Sequence, residues 1–166
     1  MTVRRLWTFQ RLPRIARLRR TGVLRTTWDE LNDDERDRYP AMVAAMLAGG
    51  VDTGGHPPIW AWSPRPTLLD ACALFDPEHE LSKGIATVEF DAPVSSTYDS
   101  CYGSWNDHLA DRFDDPDARW TPTPPSPSSH EPVQVCLPLL RAEWVRAVRE
   151  LPRSGWDGTI RLEEPA

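Results

Sequence analysis

The stretch His56-Pro57-Pro58-Ile59-Trp60-Ala61-Trp62-Ser63-Pro64 organises the rest of the chain. Trp60 and Trp62 stand two residues apart, so in an extended strand both indole rings point to the same face. The flanking prolines predict a short strand, because proline cannot donate to a sheet ladder. Two tryptophans on one face either seal a core or form the floor of a pocket. The sequence leaves both alternatives open.

The composition is that of a folded domain of ordinary size. The chain has 166 residues, of which 40% are hydrophobic and 27% are charged, and this length is enough for one hydrophobic core. The net charge of -6 argues against nucleic acid as the main partner. The three cysteines form no C-x-x-C pair and the four histidines lie far apart, so we expect neither a disulfide framework nor a metal site. No apolar run reaches the length of a membrane span, and we expect a cytoplasmic protein with no membrane partner.

The spacing of apolar residues predicts a mixture of strands and helices. Period-two alternation indicates strands at residues 6–10, at the double-tryptophan stretch, and at residues 85–91, 133–137 and 160–162. Helical spacing, with prolines and glycines near the ends, indicates helices between residues 13 and 22, between 40 and 49, at 67–75, around 105–113 and at 140–151. Thr27-Trp28-Asp29-Glu30 fits a capping box.

The order of these elements predicts the fold class. Strands and helices are mixed but do not alternate regularly, which favours an α+β fold over a doubly wound parallel sheet. We predict a single domain over residues 1–166, with a small mixed or mainly antiparallel sheet and packed helices. Residues 114–132 are rich in Pro, Ser, Thr and Asp, and this composition predicts a loop within the domain.

Aromatic residues supply the best candidates for a ligand pocket. Small-ligand sites are commonly built from aromatic walls with a few polar groups. The candidates are Trp7, Trp60, Trp62 and Trp105, together with Tyr102 and the polar residues Gln10 and Asp99. The alternative is that the same tryptophans form a tryptophan-rich core.

Asp107 and His108 are the candidates for proton transfer. In a helix Asp107 and Asp111 lie four residues apart on one face, where two close carboxylates can perturb each other's pKa and act as acid and base. The chain carries none of the short motifs of the well-known enzyme classes. The alternative interpretation of this group is a solvated helix face.

Residues 1–25 contain eight arginines and no acidic residue. The arginines are Arg4, Arg5, Arg11, Arg14, Arg17, Arg19, Arg20 and Arg25. They suit the phosphates of a nucleotide better than a long nucleic acid, because the whole chain is negative. The alternatives are a solvated helix face and an organelle transit peptide, which has a similar composition.

Several short motifs along the chain match one family pattern. Leu6-Trp7-Thr8-Phe9-Gln10 resembles a W-T-x-Q strand, and Pro58-Ile59-Trp60-Ala61-Trp62 resembles a P-x-W-A-W signature. Weaker matches are a G-x-L turn at Thr21–Leu24 and a methionine at Met46. Tyr102–Trp105 with Leu109 matches an F-D-x-W-H segment leading to a leucine, and Val133–Val148 matches a closing strand and helix. Together they resemble the bacterial domain-of-unknown-function family 3841. The resemblance covers most of residues 6–150 and implies fold and boundaries, but no mechanism.

One position departs from that family pattern. Where the family commonly has His after the tryptophan of its F-D-x-W-H segment, this chain has Asn106. The resemblance therefore implies that an activity dependent on this His is lost, or that His108 stands in for it.

The element order is also similar to compact ADP-ribosyltransferase-like domains, which bind NAD in the cleft of a split sheet. Those domains carry a His or Arg, a Ser or Tyr, and a Glu on successive strands. Here the first strand offers Gln10 and a later strand offers Glu89. The set is incomplete, so the similarity is one of fold alone.

These observations leave two hypotheses for the function. The first is a bacterial protein that binds a small nucleotide-like ligand in a tryptophan-lined cleft and, if it is an enzyme, acts as a transferase. The second is a non-enzymatic interaction or accessory protein, whose tryptophans are core and whose loop at 114–132 contacts a protein partner. The sequence identifies neither a cofactor nor the partner.

Overall fold

The central element of the fold is the first strand, β1 (Val3–Arg11), which pairs along both of its edges. The computed structural model describes residues 1–125 and 133–166. The other members of its six-stranded sheet are β3 (Ile59–Ser63), β4 (Ile85–Pro93), β5 (Tyr98–Cys101), β6 (Val133–Leu137) and β8 (Val145–Glu150). Their order is β5-β6-β3-β1-β4-β8, and a separate pair joins β2 (Val23–Leu24) to β7 (Leu140–Arg141). The strand pairs in the described residues are antiparallel, which confirms the α+β prediction.

Helices pack on both faces of this sheet. They are α1 (Leu12–Thr21), α2 (Asp33–Ala48), α3 (Leu68–Leu74) and α4 (Tyr102–Asp114). Helix α1 is bounded as predicted, with Pro13 in its first turn and Gly22 after its end. Gly22 has φ 80°, a conformation that favours glycine, and its N–H donates to the Leu18 carbonyl over 2.8 Å. Helix α3 also confirms its prediction to within a residue at each end.

The two faces of the sheet carry different cores. On one face α1 packs on a cluster that includes the fully buried Leu6, Val88 and Phe90. On the other face α2 and α4 cover β3 and β6, in a cluster that includes Trp105 and Cys136. Period-two alternation along β1 and β4 therefore sorts their side chains between faces as the sequence predicts.

Helix α2 begins at Asp33, earlier than the position of Pro40 predicts. The sequence favoured a start after Pro40, but the helix contains Pro40 in its interior. Asn32 Oδ1 accepts from the Glu35 N–H over 2.8 Å, and Glu35 Oε2 accepts from the Asn32 N–H over 3.0 Å. This capping box fixes the start of the helix by satisfying two of its end donors. The capping box predicted at Thr27 is present, but it opens only one turn of 3-10 helix.

The helix predicted at residues 140–151 is absent, and that prediction is wrong. Strand β7 is followed by a 3-10 turn over Ala142–Trp144 and then by β8. Strand β8 pairs with β4, where Arg146 and Arg149 meet acidic partners. This pairing across the sheet overrides the apolar spacing, which is compatible with a helix only when the segment is considered alone.

The strand predicted at residues 160–162 is also absent. Instead, the backbone carbonyls of Leu162 and Glu164 accept hydrogen bonds from the Leu69 and Leu68 N–H groups, each over 2.9 Å. These N–H groups lie in the first turn of α3 and have no partner within the helix. The C-terminal segment therefore completes a helix end rather than a sheet.

An ion-pair ladder joins β1, β4 and β8 on one face of the sheet. Arg5 contacts Asp91 over 2.5 Å and Glu89 over 2.8 Å. Arg146 contacts Asp91 over 2.7 Å, and Arg149 contacts Glu89 over 2.9 Å. Each carboxylate thus lies between two guanidiniums, which fixes the register of the edge strand β8.

The ladder predicts a stability that falls in acid. The hydrogen bond from Arg5, followed by that from Arg146, lowers the pKa of Asp91 from 3.8 to about 2. Because the folded-state pKa is the lower one, the stabilisation is complete above the ordinary pKa and is lost as the pH falls towards the folded value. We expect Asp91→Asn to lower the urea midpoint at neutral pH, and the difference from the wild type to vanish near pH 2.

The control for that measurement is Asp29→Asn. It makes the same change in net charge at an exposed position that forms no ion pair within the described ranges. Urea denaturation followed by circular dichroism at a series of pH values gives the midpoints. A difference for Asp91→Asn that stays constant down to the lowest pH would contradict the prediction.

Residues 115–125, in the first part of the predicted loop, form no helix or strand. The rest of that loop, residues 126–132, lies outside the described residues. Within residues 1–125 and 133–166, no helix combines the length and the apolar character needed to cross a membrane.

Candidate functional site

The sheet splits between its two central strands. Strands β1 and β3 are paired at Trp7 and Trp62, and a continued antiparallel ladder would place Thr8 opposite Ala61 and then Phe9 opposite Trp60. At that point the Thr8 hydroxyl donates to the Trp60 carbonyl over 2.6 Å. A side chain thus replaces the backbone ladder, and the two strands diverge beyond it.

A cleft of about 540 Å³ opens at this split. Its volume is within the range of small-molecule sites. Its aromatic lining consists of Phe9, Tyr39, Trp60, Trp62, Phe75, Tyr102 and Trp105. Its polar lining consists of Gln10, Arg11, Arg14, Thr26, Glu30, Asn32, Glu35, Glu80, Asn106 and Gln134. A smaller cavity of about 140 Å³ lies beyond Trp62 and Tyr102, which line both.

Three aromatic rings from three elements form one end of the cleft. Tyr39 of α2 meets Trp60 of β3 edge to face, with ring centroids 5.2 Å apart. Trp105 of α4 lies 5.5 Å from Trp60 and 6.3 Å from Tyr39. Trp105 is only 3% exposed, whereas Tyr39 and Trp60 are half-buried. We call these three residues the aromatic trio.

A hydrogen-bonded chain of polar side chains spans the split and ends on Trp60 of the aromatic trio. Arg14 Nε donates to Gln10 Oε1 over 2.8 Å, and Gln10 Nε2 donates to the Thr8 hydroxyl over 2.9 Å. The Thr8 hydroxyl continues the chain to the Trp60 carbonyl. Gln10 is 8% exposed, and hydrogen bonds to Arg14 and Thr8 hold its amide in one orientation. This chain links α1 to β1 and β3 through side chains.

Arg14 is held by an acidic partner as well. Its other nitrogens contact Glu30 over 2.8 Å and the Thr26 hydroxyl over 3.0 Å. Burial lowers the pKa of Arg14, and the Glu30 carboxylate opposes that shift. Burial likewise opposes ionisation of Glu30, but the Thr27 N–H and the guanidiniums of Arg14 and Arg17 hold its pKa below the ordinary value. Arg14 and Glu30 thus form an ion pair, in which Glu30 is shared with Arg17.

Among the described residues, Glu35 is the acid of the cleft lining that has no basic partner. Glu80, which also belongs to the lining, pairs with Arg11 over 2.9 Å. Within the described residues Glu35 forms no ion pair, and its one hydrogen bond accepts the Asn32 N–H of the capping box. Burial, followed by the nearby Glu35 carboxylate, raises the pKa of Tyr39. The unpaired charge of the lining is thus negative and lies beside the aromatic trio.

The structure brings four of the six predicted ligand-binding residues into the cleft. These are Gln10, Trp60, Trp62 and Trp105, and Tyr102 accompanies them. The other two lie outside the described lining. Trp7 sits opposite Trp62 and Glu89 in the sheet, and Asp99 forms an ion pair with Arg4 over 2.6 Å.

The proposed proton-transfer pair lies outside the described lining of the cleft. Asp107 is exposed on α4. His108 is 5% exposed and packs against Trp105 and Trp120, with ring centroids 5.5 and 6.1 Å away. Their neighbour Asn106, which replaces the histidine of the resembled family, is exposed and does line the cleft.

The burial of His108 predicts a pH dependence of stability near neutrality. Its Nε2 is buried without a partner among the described residues. Burial, followed by the charge of Arg112, lowers the pKa of His108, and Asp111 opposes this shift without cancelling it. As the pH falls below the ordinary value of 6.5, the imidazole binds a proton more readily in the unfolded chain than in the folded chain. The free energy of unfolding therefore declines.

We expect His108→Phe to remove this part of the pH dependence. Phenylalanine keeps a ring between the two tryptophans but has no group that titrates. Urea midpoints measured from about pH 7.5 to about pH 5 should fall less steeply for the variant than for the wild type. Equal slopes for the two proteins would show that His108 does not carry the effect.

Sequence reasoning missed part of the lining. Tyr39 and Glu35 were missed because α2 was placed after Pro40, although the Asn32–Glu35 spacing carried the signal of an earlier start. Gln134 is 2% exposed and bonds the Ser100 hydroxyl over 3.0 Å. The feature of the sequence that indicates Gln134 is a polar residue inside an otherwise apolar strand.

The arginines of residues 1–25 do not form a common phosphate site. Arg11 and Arg14 line the cleft, and both are paired with acids. The Gln10 and Glu89 set of the ADP-ribosyltransferase comparison is not brought together either. Gln10 lines the cleft, whereas Glu89 belongs to the ladder with Arg5 and Arg149.

No protein-family model, curated protein or solved structure matches this chain. Membership of the family resembled by the W-T-x-Q and P-x-W-A-W motifs therefore stays a prediction. In the part of the chain that the structure describes, no group of three or more His, Cys, Asp or Glu residues could hold a metal ion.

Proposed function

We propose that the cleft at the sheet split binds a small nucleotide-like ligand, with a planar base and a polar sugar part. The observation that carries the proposal is the cleft of about 540 Å³ whose lining combines seven aromatic side chains with fixed polar groups. Planar bases stack on aromatic side chains, and hydroxyls of a sugar pair with amides and carboxylates. A core that only needed to be filled would not leave such a space at the middle of the sheet.

The fixed orientation of the polar wall supports this proposal. Gln10 is bonded on one side to Arg14 and on the other to Thr8, so it is organised before any ligand enters. Preorganised polar groups reduce the entropy that binding costs. The similarity in element order to ADP-ribosyltransferase-like domains, which bind NAD in the cleft of a split sheet, is one of fold alone, and it supports binding rather than a particular reaction.

The proposal concerns binding and assigns no catalytic group. Asp107 and His108 remain the proposed proton-transfer pair of the sequence, but they would need a ligand that extends beyond the described lining. We place the protein in the cytoplasm, which agrees with the free thiols of Cys72, Cys101 and Cys136.

The test is a thermal-shift screen of the purified protein against nucleosides, nucleotides and dinucleotides, NAD included. A compound at one hundred times its dissociation constant stabilises the fold by about 2.7 kcal/mol. For a domain of this size that is a shift of roughly 5–10 °C. The absence of a shift with every compound would overturn the proposal and favour the non-enzymatic interaction protein, for which a pull-down of partners is the next experiment.

A further inference from the structure

The charges of the cleft are paired except at one end. Arg11 contacts Glu80, and Arg14 contacts Glu30. Glu30 also contacts Arg17 over 2.8 Å, so the group of Arg14, Arg17 and Glu30 keeps one net positive charge. Arg17 lies outside the described lining, and a phosphate in the cleft would have to compete with Glu30 or Glu80 for the two lining arginines.

The end of the cleft beside Glu35 carries a negative charge that has no basic partner among the described residues. Glu35 and Tyr39 lie four residues apart on α2, so they share one face of the helix. Tyr39 contacts Trp60, and both rings retain exposed surface. A carboxylate beside aromatic faces is the environment that binds cations, because both the charge and the ring quadrupoles attract them.

We infer that the ligand of this cleft carries a positive charge on its planar group, seated between the aromatic trio and the Glu35 carboxylate. This inference rests on the proposed function and names the ligand class as a cationic base or nucleoside. The Glu35 side chain is pre-positioned for that role by the capping box, because its Oε2 is fixed by the Asn32 N–H. Its other oxygen forms no hydrogen bond with any residue of the described ranges.

The test compares nucleosides that carry one added methyl group but differ in charge. The probes are 1-methyladenosine and 7-methylguanosine, whose bases carry a positive charge, with N6-methyladenosine and 1-methylguanosine as their neutral methylated counterparts. Calorimetric titration of the full chain should give binding about tenfold tighter for each charged nucleoside than for its counterpart. Adenosine monophosphate should bind no more tightly than adenosine.

The variant Glu35→Gln isolates the role of the carboxylate. Glutamine at this position preserves the capping box, so the helix start and the fold are retained. The preference for the charged nucleosides should shrink to about threefold or less, because only the aromatic faces remain. The matched control is Glu143→Gln, which makes the same change in net charge at an exposed position in the turn before β8. It should keep the full preference.

The outcomes separate this inference from the function on which it rests. Equal binding of charged and neutral nucleosides, or tighter binding of adenosine monophosphate, overturns the charge inference and leaves the nucleotide-like ligand in place. A preference that survives Glu35→Gln unchanged overturns the role of the carboxylate. Binding of none of the probes, with no shift in the wider screen, overturns both proposals.

Discussion

Trp105→Ala is expected to destabilise the protein by about 3–5 kcal/mol, the usual cost of removing a large buried aromatic side chain. Trp105 is 3% exposed and contacts Tyr39, Trp60, His108 and Trp120. Its indole therefore joins α4 to α2, to the sheet and to residue 120. Loss of the ring leaves a cavity at the back of the cleft that rigid neighbours cannot fill.

The matched control is Phe113→Ala on the same helix. Phe113 is 72% exposed, and the Arg38 guanidinium lies 4.2 Å from its ring centroid. We expect a loss of less than about 1 kcal/mol. Urea denaturation of both variants and the wild type gives the free energies of unfolding to compare. If Trp105→Ala does not fold, Trp105→Phe replaces it, and an intermediate loss is expected. Similar losses for the two alanine variants would mean that Trp105 does not join the elements.

Asn106→Trp is expected to weaken ligand binding strongly without loss of the fold. Asn106 is exposed on α4 and lines the cleft. A bulky side chain there enters the space that a ligand would occupy, while an exposed helix position tolerates it at a cost of less than about 1 kcal/mol. The compound with the largest shift in the thermal-shift screen should lose at least about tenfold in affinity.

The control for that variant lies two turns further along α4. Asp114→Trp places the same side chain on the same helix, at an exposed position outside the described lining of the cleft. It should bind the ligand as the wild type does. Equal loss of binding in both variants would place the ligand elsewhere on α4, and no loss in Asn106→Trp would exclude the cleft as the site.

Much of the fold follows from local sequence signals. Period-two alternation located β1, β4 and β6, and the Pro13 and Gly22 pair bounded α1. Local signals failed where tertiary pairing outweighed them. The apolar spacing of residues 140–151 fits a helix, but pairing with β4 and its acidic residues makes the segment a 3-10 turn and the strand β8.

The candidate site was predictable only in part, for a related reason. Trp60, Trp62 and Gln10 were found because aromatic and amide groups on short strands are conspicuous in a sequence. Tyr39 and Glu35 were missed with the start of α2. The predicted Trp7 lies where β1 and β3 are still paired, and the cleft begins one residue pair further on. No periodicity shows where two strands separate.

By itself, the sequence determined the fold class, most elements and the shared face of Trp60 and Trp62. These properties depend on short-range periodicity and on caps that act within four residues. The tertiary structure alone decided that the sheet splits, that Arg14 contacts a carboxylate, and that Glu35 contacts no basic group of the described residues. The Thr8 hydroxyl bonds a carbonyl 52 residues away, and Arg14 meets Glu30 across 16 residues. Contacts at such separations depend on how the chain closes in space, which local spacing does not encode.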